Sequence, residues 1–223
     1  MSRILTGAVI LIILIVVIGV SKVSNNKVKD VYLNKIEMAD NKANAYKYLS
    51  LGEYKRGTNL LKKSGYTKSQ IADTYMEFGQ YDSAIKADSN STSKVIKRMY
   101  ETGNQKKILD LKTNNSYINT EKQIVSYNYN YLLAGKQLIS DNDQLERLAL
   151  AFIAHGNIVD AEDVNSKLQD KNITAAINEK NATNKINSLK GSMSKETDSK
   201  KKAAIKKQID DLTQQYLQKD SKK

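Results

Sequence analysis

The chain has 223 residues, with 36 Lys and Arg against 24 Asp and Glu for a formal net charge of +12, a length that suits one domain or two small ones at roughly 100–200 residues each. It contains no Pro, no Cys, no Trp and a single His, which excludes disulfide frameworks, Cys-ligated zinc, iron–sulfur clusters, thiol nucleophiles and multi-His metal sites by inventory. Proline breaks helix interiors and ordinarily makes up about 5% of a chain, so its absence favours long helices and an all-α fold.

From Ile4 to Val20 seventeen residues carry no charge, with Arg3 before them and Lys22 after. As a helix this run is about 25 Å long, inside the range of about 17–25 residues that crosses a bilayer. The expectation is an uncleaved transmembrane anchor over residues 1–22. A cleaved signal peptide fits less well, because Arg3 alone would be its charged region, the apolar run exceeds about 15 residues, and no A-x-A-like site follows. Lys22, Lys27 and Lys29 outweigh Arg3, so the positive-inside rule leans toward a cytoplasmic body.

A polar neck, Ser21 to Asp30, is expected to enter a helix near Val28 to Leu33. Over residues 23–168 one phrase then recurs: an apolar-striped helix, a glycine, a polar residue and a returning helix. It reads Tyr46-Lys-Tyr-Leu-Ser-Leu-Gly-Glu-Tyr54 through Leu61, then Ile71 through Phe78-Gly79-Gln80 to Ile85. It returns from Val95 through Gly103 to Leu111, and from Leu145 through Gly156 to Leu168. Glycine just past a helix end takes the left-handed conformation that closes the helix, and stripes such as Ile71, Tyr75 and Phe78 need a facing helix. Stacked hairpins of this kind resemble the tetratricopeptide class of helical repeat. Gly52, Gly79, Gly103 and Gly156 are 27, 24 and 53 residues apart, so the array is irregular; a weaker phrase at Gly135 divides the longest gap. Asn114 to Thr120 reads as a connecting loop. Asp88 to Ser93 reads as another, with Ser or Thr capping a helix that begins near Lys94.

Residues 169–223 form a Lys-rich tail. Ile173 and Ile177, then Ile186, Leu189 and Met193, then Ile205, Ile209, Leu212 and Tyr216 keep helical spacings. Gly191 and the segment from Thr197 to Lys202 interrupt them. The tail is therefore a loose helical hairpin, or two helices that pair with another chain, or partly disordered. Residues 185–223 hold 11 Lys and 5 acids, a solvated end or one that meets anionic lipid, at about 1 kcal/mol per Lys near such a surface.

No constellation predicts catalysis. His155 has no second His or Cys and no carboxylate placed to orient it, so it reads as a last-turn residue at a helix carbonyl end. Gly191-Ser-Met-Ser-Lys lacks the first glycine and the Gly-Lys-Ser/Thr ending of a phosphate loop and follows a helix. Tyr127, Tyr129 and Tyr131 could stack nucleic-acid bases; on a single helix Tyr127 and Tyr131 share a face and Tyr129 points away, and packing is the ordinary use. With scattered Lys and four Arg, nucleic acid is disfavoured. The expectation is a protein that is not an enzyme, with no catalytic, cofactor or metal residues.

Ala45-Tyr46...Leu49-Ser-Leu-Gly-Glu-Tyr54...Leu60-Leu61 and Leu148...Phe152-Ile-Ala-His-Gly156...Ala161, set between a membrane helix and a Lys-rich helical tail, resemble the carboxyl-terminal half of the EssB/YukC family. That family comprises membrane components of the type VII secretion machinery of Gram-positive bacteria. The resemblance implies a cell-membrane scaffold that contacts other secretion subunits and, against the lean of the charge flanks, an extracytoplasmic body. Tethering copies in one membrane favours a homodimer through neck or tail. The family carries a cytoplasmic pseudokinase-like domain ahead of its membrane helix, so the expectation is a truncated or split relative. Two other readings stay open: a single-pass adaptor with tetratricopeptide-like peptide-binding repeats in a conjugation machine, and a secreted binder with a signal peptide.

Overall fold

The computed structural model describes residues 25–217, with side chains from Lys29 onward. The predicted anchor at residues 1–22 lies outside the described residues, and among those described no helix is long and apolar enough to cross a membrane. All regular structure among the described residues is helical, in agreement with the all-α expectation: α1 (Asn25–Ser50), α2 (Tyr54–Lys63), α3 (Lys68–Glu77), α4 (Tyr81–Ala87), α5 (Thr92–Glu101), α6 (Ser116–Ser126), α7 (Tyr129–Gly135), α8 (Asn142–Ala154), α9 (Ile158–Leu168), α10 (Lys171–Lys195) and α11 (Ser199–Leu212). Short 3-10 turns at Ser89–Ser91 and Gln105–Asp110 and a π turn at Thr213–Leu217 complete the order. The described residues divide into two compact units at a boundary between Val95 and Ile96, inside α5.

In the first unit α1 turns back into α2, and α3 into α4. Ala45, Leu49, Leu61 and Ile71 form its core, with Tyr46, Tyr54, Tyr75 and Phe78 packed around them. Gly57 lets α1 and α2 approach closely: a Cβ there would lie 2.6 Å from Cγ of Leu49 and 3.0 Å from the Ala45 carbonyl oxygen. Thr67 and Gln70 form a reciprocal capping box that starts α3, satisfying two amide donors at that helix end.

In the second unit α8 and α9 form a hairpin, α10 packs on both, and α11 folds back along α10. The core gathers Leu145, Leu148, Phe152, Val164, Ile173 and Ile177. The tail thus resolves as a hairpin within the chain, and its first apolar pair belongs to the core of this unit, although sequence reading placed it beyond the body. Gly191 does not interrupt it, because α10 runs unbroken to Lys195 and the turn comes at Glu196 to Asp198.

Five helix ends share one hydrogen-bond pattern. At Gly156 (φ +83°) the Gly156 amide donates to the Ile153 carbonyl and the Asn157 amide to the Phe152 carbonyl, at 3.1 and 2.9 Å. The same pair of bonds closes the helices before Gly52, Gly79 and Gly103, as their spacing predicted, and also before Gly65, which the phrase had not included. Two further ends use non-glycine residues in the left-handed region, Tyr127 (φ +50°) and Gln169 (φ +53°).

Four local expectations are corrected. Ser116 to Thr120 is the first part of α6, started by the Asn115 side chain accepting from the Ile118 amide at 2.8 Å, instead of a loop. After Gly103 the chain makes a 3-10 turn and no full return helix. After Gly135, a helical residue of ordinary φ, it makes none before Asn142. Ahead of α5 it is Asp88, not Ser or Thr, whose side chain accepts from a backbone amide, that of Asn90 at 3.1 Å.

Gly156→Ala meets no atom within 4 Å, so it carries only the left-handed backbone penalty and destabilises the protein by about 1–2 kcal/mol. Gly191→Ala, in an exposed helix interior, stabilises by about 0.5–1 kcal/mol. Urea denaturation of the two variants checks these opposite signs.

Candidate functional site

In the second unit, Ile118, Glu121 and Ile124 share one face of α6 and are all buried, which carries a carboxylate into an apolar environment. Glu121 is fully buried, at 0% exposure. Arg147 of α8 meets it in a fork: Nε donates to both carboxylate oxygens at 3.0 and 3.1 Å and Nη2 to Oε1 at 2.5 Å. Tyr100 of α5 donates to the other oxygen at 3.3 Å. Nη2 of Arg147 also donates to the Tyr117 hydroxyl at 2.9 Å, and Tyr117 donates in turn to Asp141, the residue that caps α8. Burial first, and then the Glu121 charge, raises the Tyr100 hydroxyl above its ordinary pKa. Burial likewise raises Tyr117 against the opposing pull of Arg147. Burial works against the Arg147 charge, but the bonds and charge of Glu121 outweigh it, so the guanidinium is held above its ordinary value. The network joins α5, α6 and α8, and its buried side-chain polar atoms all have partners.

Tyr117 and Asp141 form the polar wall of a cleft of about 330 Å³, with Leu132, Ile139 and the 87% exposed Leu138 on its apolar side. A second, shallower cleft of about 380 Å³ lies in the first unit between α1 and α2. It is lined by Asn44, Tyr48, Arg56, Asn59, Leu60 and Lys63, with the Arg56 guanidinium 3.9 Å from the centre of the Tyr48 ring.

A second charged clasp ties the end of α7 to α9. The Lys136 side chain, 14% exposed, reaches Asp160 at 2.8 Å and Asp163 at 2.9 Å, and Tyr129 donates to Asp160 at 2.9 Å. Hydrogen bonds that Lys136 donates to Asp160 and then to Asp163 raise its pKa, and Lys136 holds the Asp163 carboxyl below its usual value.

His155 stands at the carbonyl end of α8, where the sequence placed it. Its ring stacks on Tyr127 with centroids 3.5 Å apart and planes 6° from parallel. The three tyrosines do not share a helix. Tyr127 ends α6 in the left-handed conformation and Tyr129 opens α7; both turn edge-on to Phe152, while Tyr131 is exposed and lines the first cleft. The Gly191-Ser-Met-Ser-Lys segment is the last turn of α10. Among the described residues, no group of three or more His, Cys, Asp or Glu is placed to hold a metal ion. Sequence reading missed Glu121 and Arg147; the available signal was an acid set between Ile118 and Ile124 on an apolar stripe.

No family model, no curated protein and no solved structure matches the chain.

Arg147→Met leaves the Glu121 carboxylate buried without its main partner and destabilises the protein by about 3–5 kcal/mol, while replacing both residues, Glu121→Leu with Arg147→Met, recovers much of that loss. Thermal and chemical denaturation measure both. For the Lys136 clasp, the Asp163 carboxyl is depressed from 3.8 in the folded protein, so its stabilisation is complete above that value and lost as pH falls through the lower folded value. Asp163→Asn accordingly lowers the melting temperature at neutral pH and flattens its acid-side dependence.

Proposed function

We propose that the chain is a non-enzymatic, single-pass membrane scaffold of a type VII-like secretion apparatus, with its helical body extracytoplasmic and available to other secretion subunits. The observation that carries this reading is the pairing of two adjoining segments. Ile4 to Val20 is uncharged and long enough to anchor. Soon after it, α1 runs from Lys29 to Asp40 with each residue exposed, including Val31, Tyr32, Leu33, Ile36 and Met38 at 40–52% exposure. A run of large apolar side chains left uncovered marks an interaction surface. Tyr32, Ile36, Ala39 and Ala43 also keep the alternating four- and three-residue spacing of paired helices. On this face we place a homodimer, favoured by the high effective concentration of chains tethered in one membrane. Further support is that the two phrases resembling the EssB/YukC family sit at the α1–α2 and α8–α9 turns.

A second reading, a single-pass adaptor that holds a peptide in a conjugation machine, is favoured by the cleft between α1 and α2, where the charged side chains are Arg56 and Lys63. Partner identity after co-purification from detergent separates the two: secretion subunits for the first, mobilisation proteins for the second.

The expected outcome for the full chain is retention in the membrane pellet through alkaline extraction, and release when residues 4–20 are deleted. Protease added to intact protoplasts removes the body. The native chain has no Cys, so Ile36→Cys gives a single site at which a short bis-maleimide captures a dimer. A full chain that stays soluble with residues 4–20 intact sinks the reading.

A further inference from the structure

We propose that the tip of the α10–α11 hairpin docks on an anionic bilayer surface, an inference that rests on the membrane-anchored reading above. Between Lys185 and Ile209 eight lysines stand against two acids, Glu196 and Asp198. Five of the eight, Lys190, Lys195, Lys200, Lys201 and Lys202, flank the turn and are exposed. The ion pairs among the described residues lie elsewhere in the chain.

The two acids are directed at the backbone. Glu196 accepts from the amides of Thr197 and Asp198, both at 2.9 Å. Asp198 accepts from those of Lys200 and Lys201 at 2.8 and 3.1 Å, capping α11. Two carboxylates therefore build the turn and leave the five ammonium groups beside it without carboxylate partners. Along α11, Lys200, Ala203, Ala204 and Lys207 recur at helical spacing and are exposed, so short side chains separate the cations on that face and nothing bulky holds a surface away.

The residue types select a bilayer over nucleic acid. Lysine is a compact point charge suited to a diffuse field of headgroups, whereas planar, bidentate phosphate recognition uses arginine, and this segment has none. Single-strand binding also needs rings on which bases stack, and no Phe, Tyr, Trp or His occurs between Lys185 and Ile209. Attraction to an anionic surface extends over a Debye length of about 8 Å at physiological ionic strength. Each lysine near such a surface strengthens association about fivefold.

The test uses the full chain with Thr197→Cys, which carries the only thiol and lies in the turn, labelled with a donor fluorophore. The protein is reconstituted into vesicles of phosphatidylcholine alone or with a quarter phosphatidylglycerol, each containing a headgroup acceptor. Energy transfer is expected to be strong with phosphatidylglycerol at low salt, to fall as salt is raised, and to stay low in phosphatidylcholine. Lys200→Gln, Lys201→Gln and Lys202→Gln together weaken tip association on the order of 100-fold, with helix content by circular dichroism unchanged. Equal transfer in the two vesicle types, or transfer unmoved by salt in the unsubstituted tip, overturns the proposal. So does a tip that responds to a single-stranded oligonucleotide and not to phosphatidylglycerol. Flotation with phosphatidylcholine vesicles reports the anchor separately: a chain that fails to float there loses the anchored reading, while its phosphatidylglycerol dependence is still read on its own.

Discussion

An amphipathic helix cannot bury its stripe alone, so this fold depends on how each helix is stopped and turned back. In this chain the stop is a backbone device: a residue in the left-handed region lets two amides bond carbonyls of the turn behind them. It recurs at Gly52, Gly65, Gly79, Gly103 and Gly156, and with a side chain present at Tyr127. The hairpins α1–α2, α3–α4 and α8–α9 are consequences of that device. Their cores are assembled from residues that could not otherwise meet, such as Leu49 with Leu61, or Phe152 with Val164.

Glycine is what made so much of the fold legible in the sequence. Because it reaches positive φ without steric penalty, it marks the helix ends at Gly52, Gly79, Gly103 and Gly156, where it follows an apolar stripe. The same stop made by another residue carries no such mark. Tyr127 was therefore read as part of one helix with Tyr129 and Tyr131, although the chain turns there. Its left-handed backbone is accompanied by the ring's contacts with His155 and Phe152 and by the Asn157 side-chain Nδ2 donating to its hydroxyl at 2.7 Å. Gly191 misled in the other direction, since inside a long helix glycine only weakens what its neighbours maintain.

The charged centre of the second unit was less legible. Glu121 and Arg147 are 26 residues apart and belong to helices brought together only by tertiary packing. Nothing local to either residue announces the pair. Such pairs add little net stability over apolar replacements, but they enforce geometry: a planar guanidinium meets a carboxylate in few orientations. Apolar side chains alone tolerate more ways of packing α6 on α8 than this fork does.

The exposed stretch of α1 has a mechanical consequence. From Lys29 to Asp40 it spans about 18 Å with every residue exposed, touched near its end by the Ser64 hydroxyl, which donates to the Met38 carbonyl, and a helix of about 12 residues without packing is marginal in water. Its straightness is therefore borrowed from the later turns, where Ala45 and Leu49 are clamped in the core of the first unit. Stiffness decays with distance from that clamp, and a companion lying along the bare face would convert a compliant tether into a rigid strut.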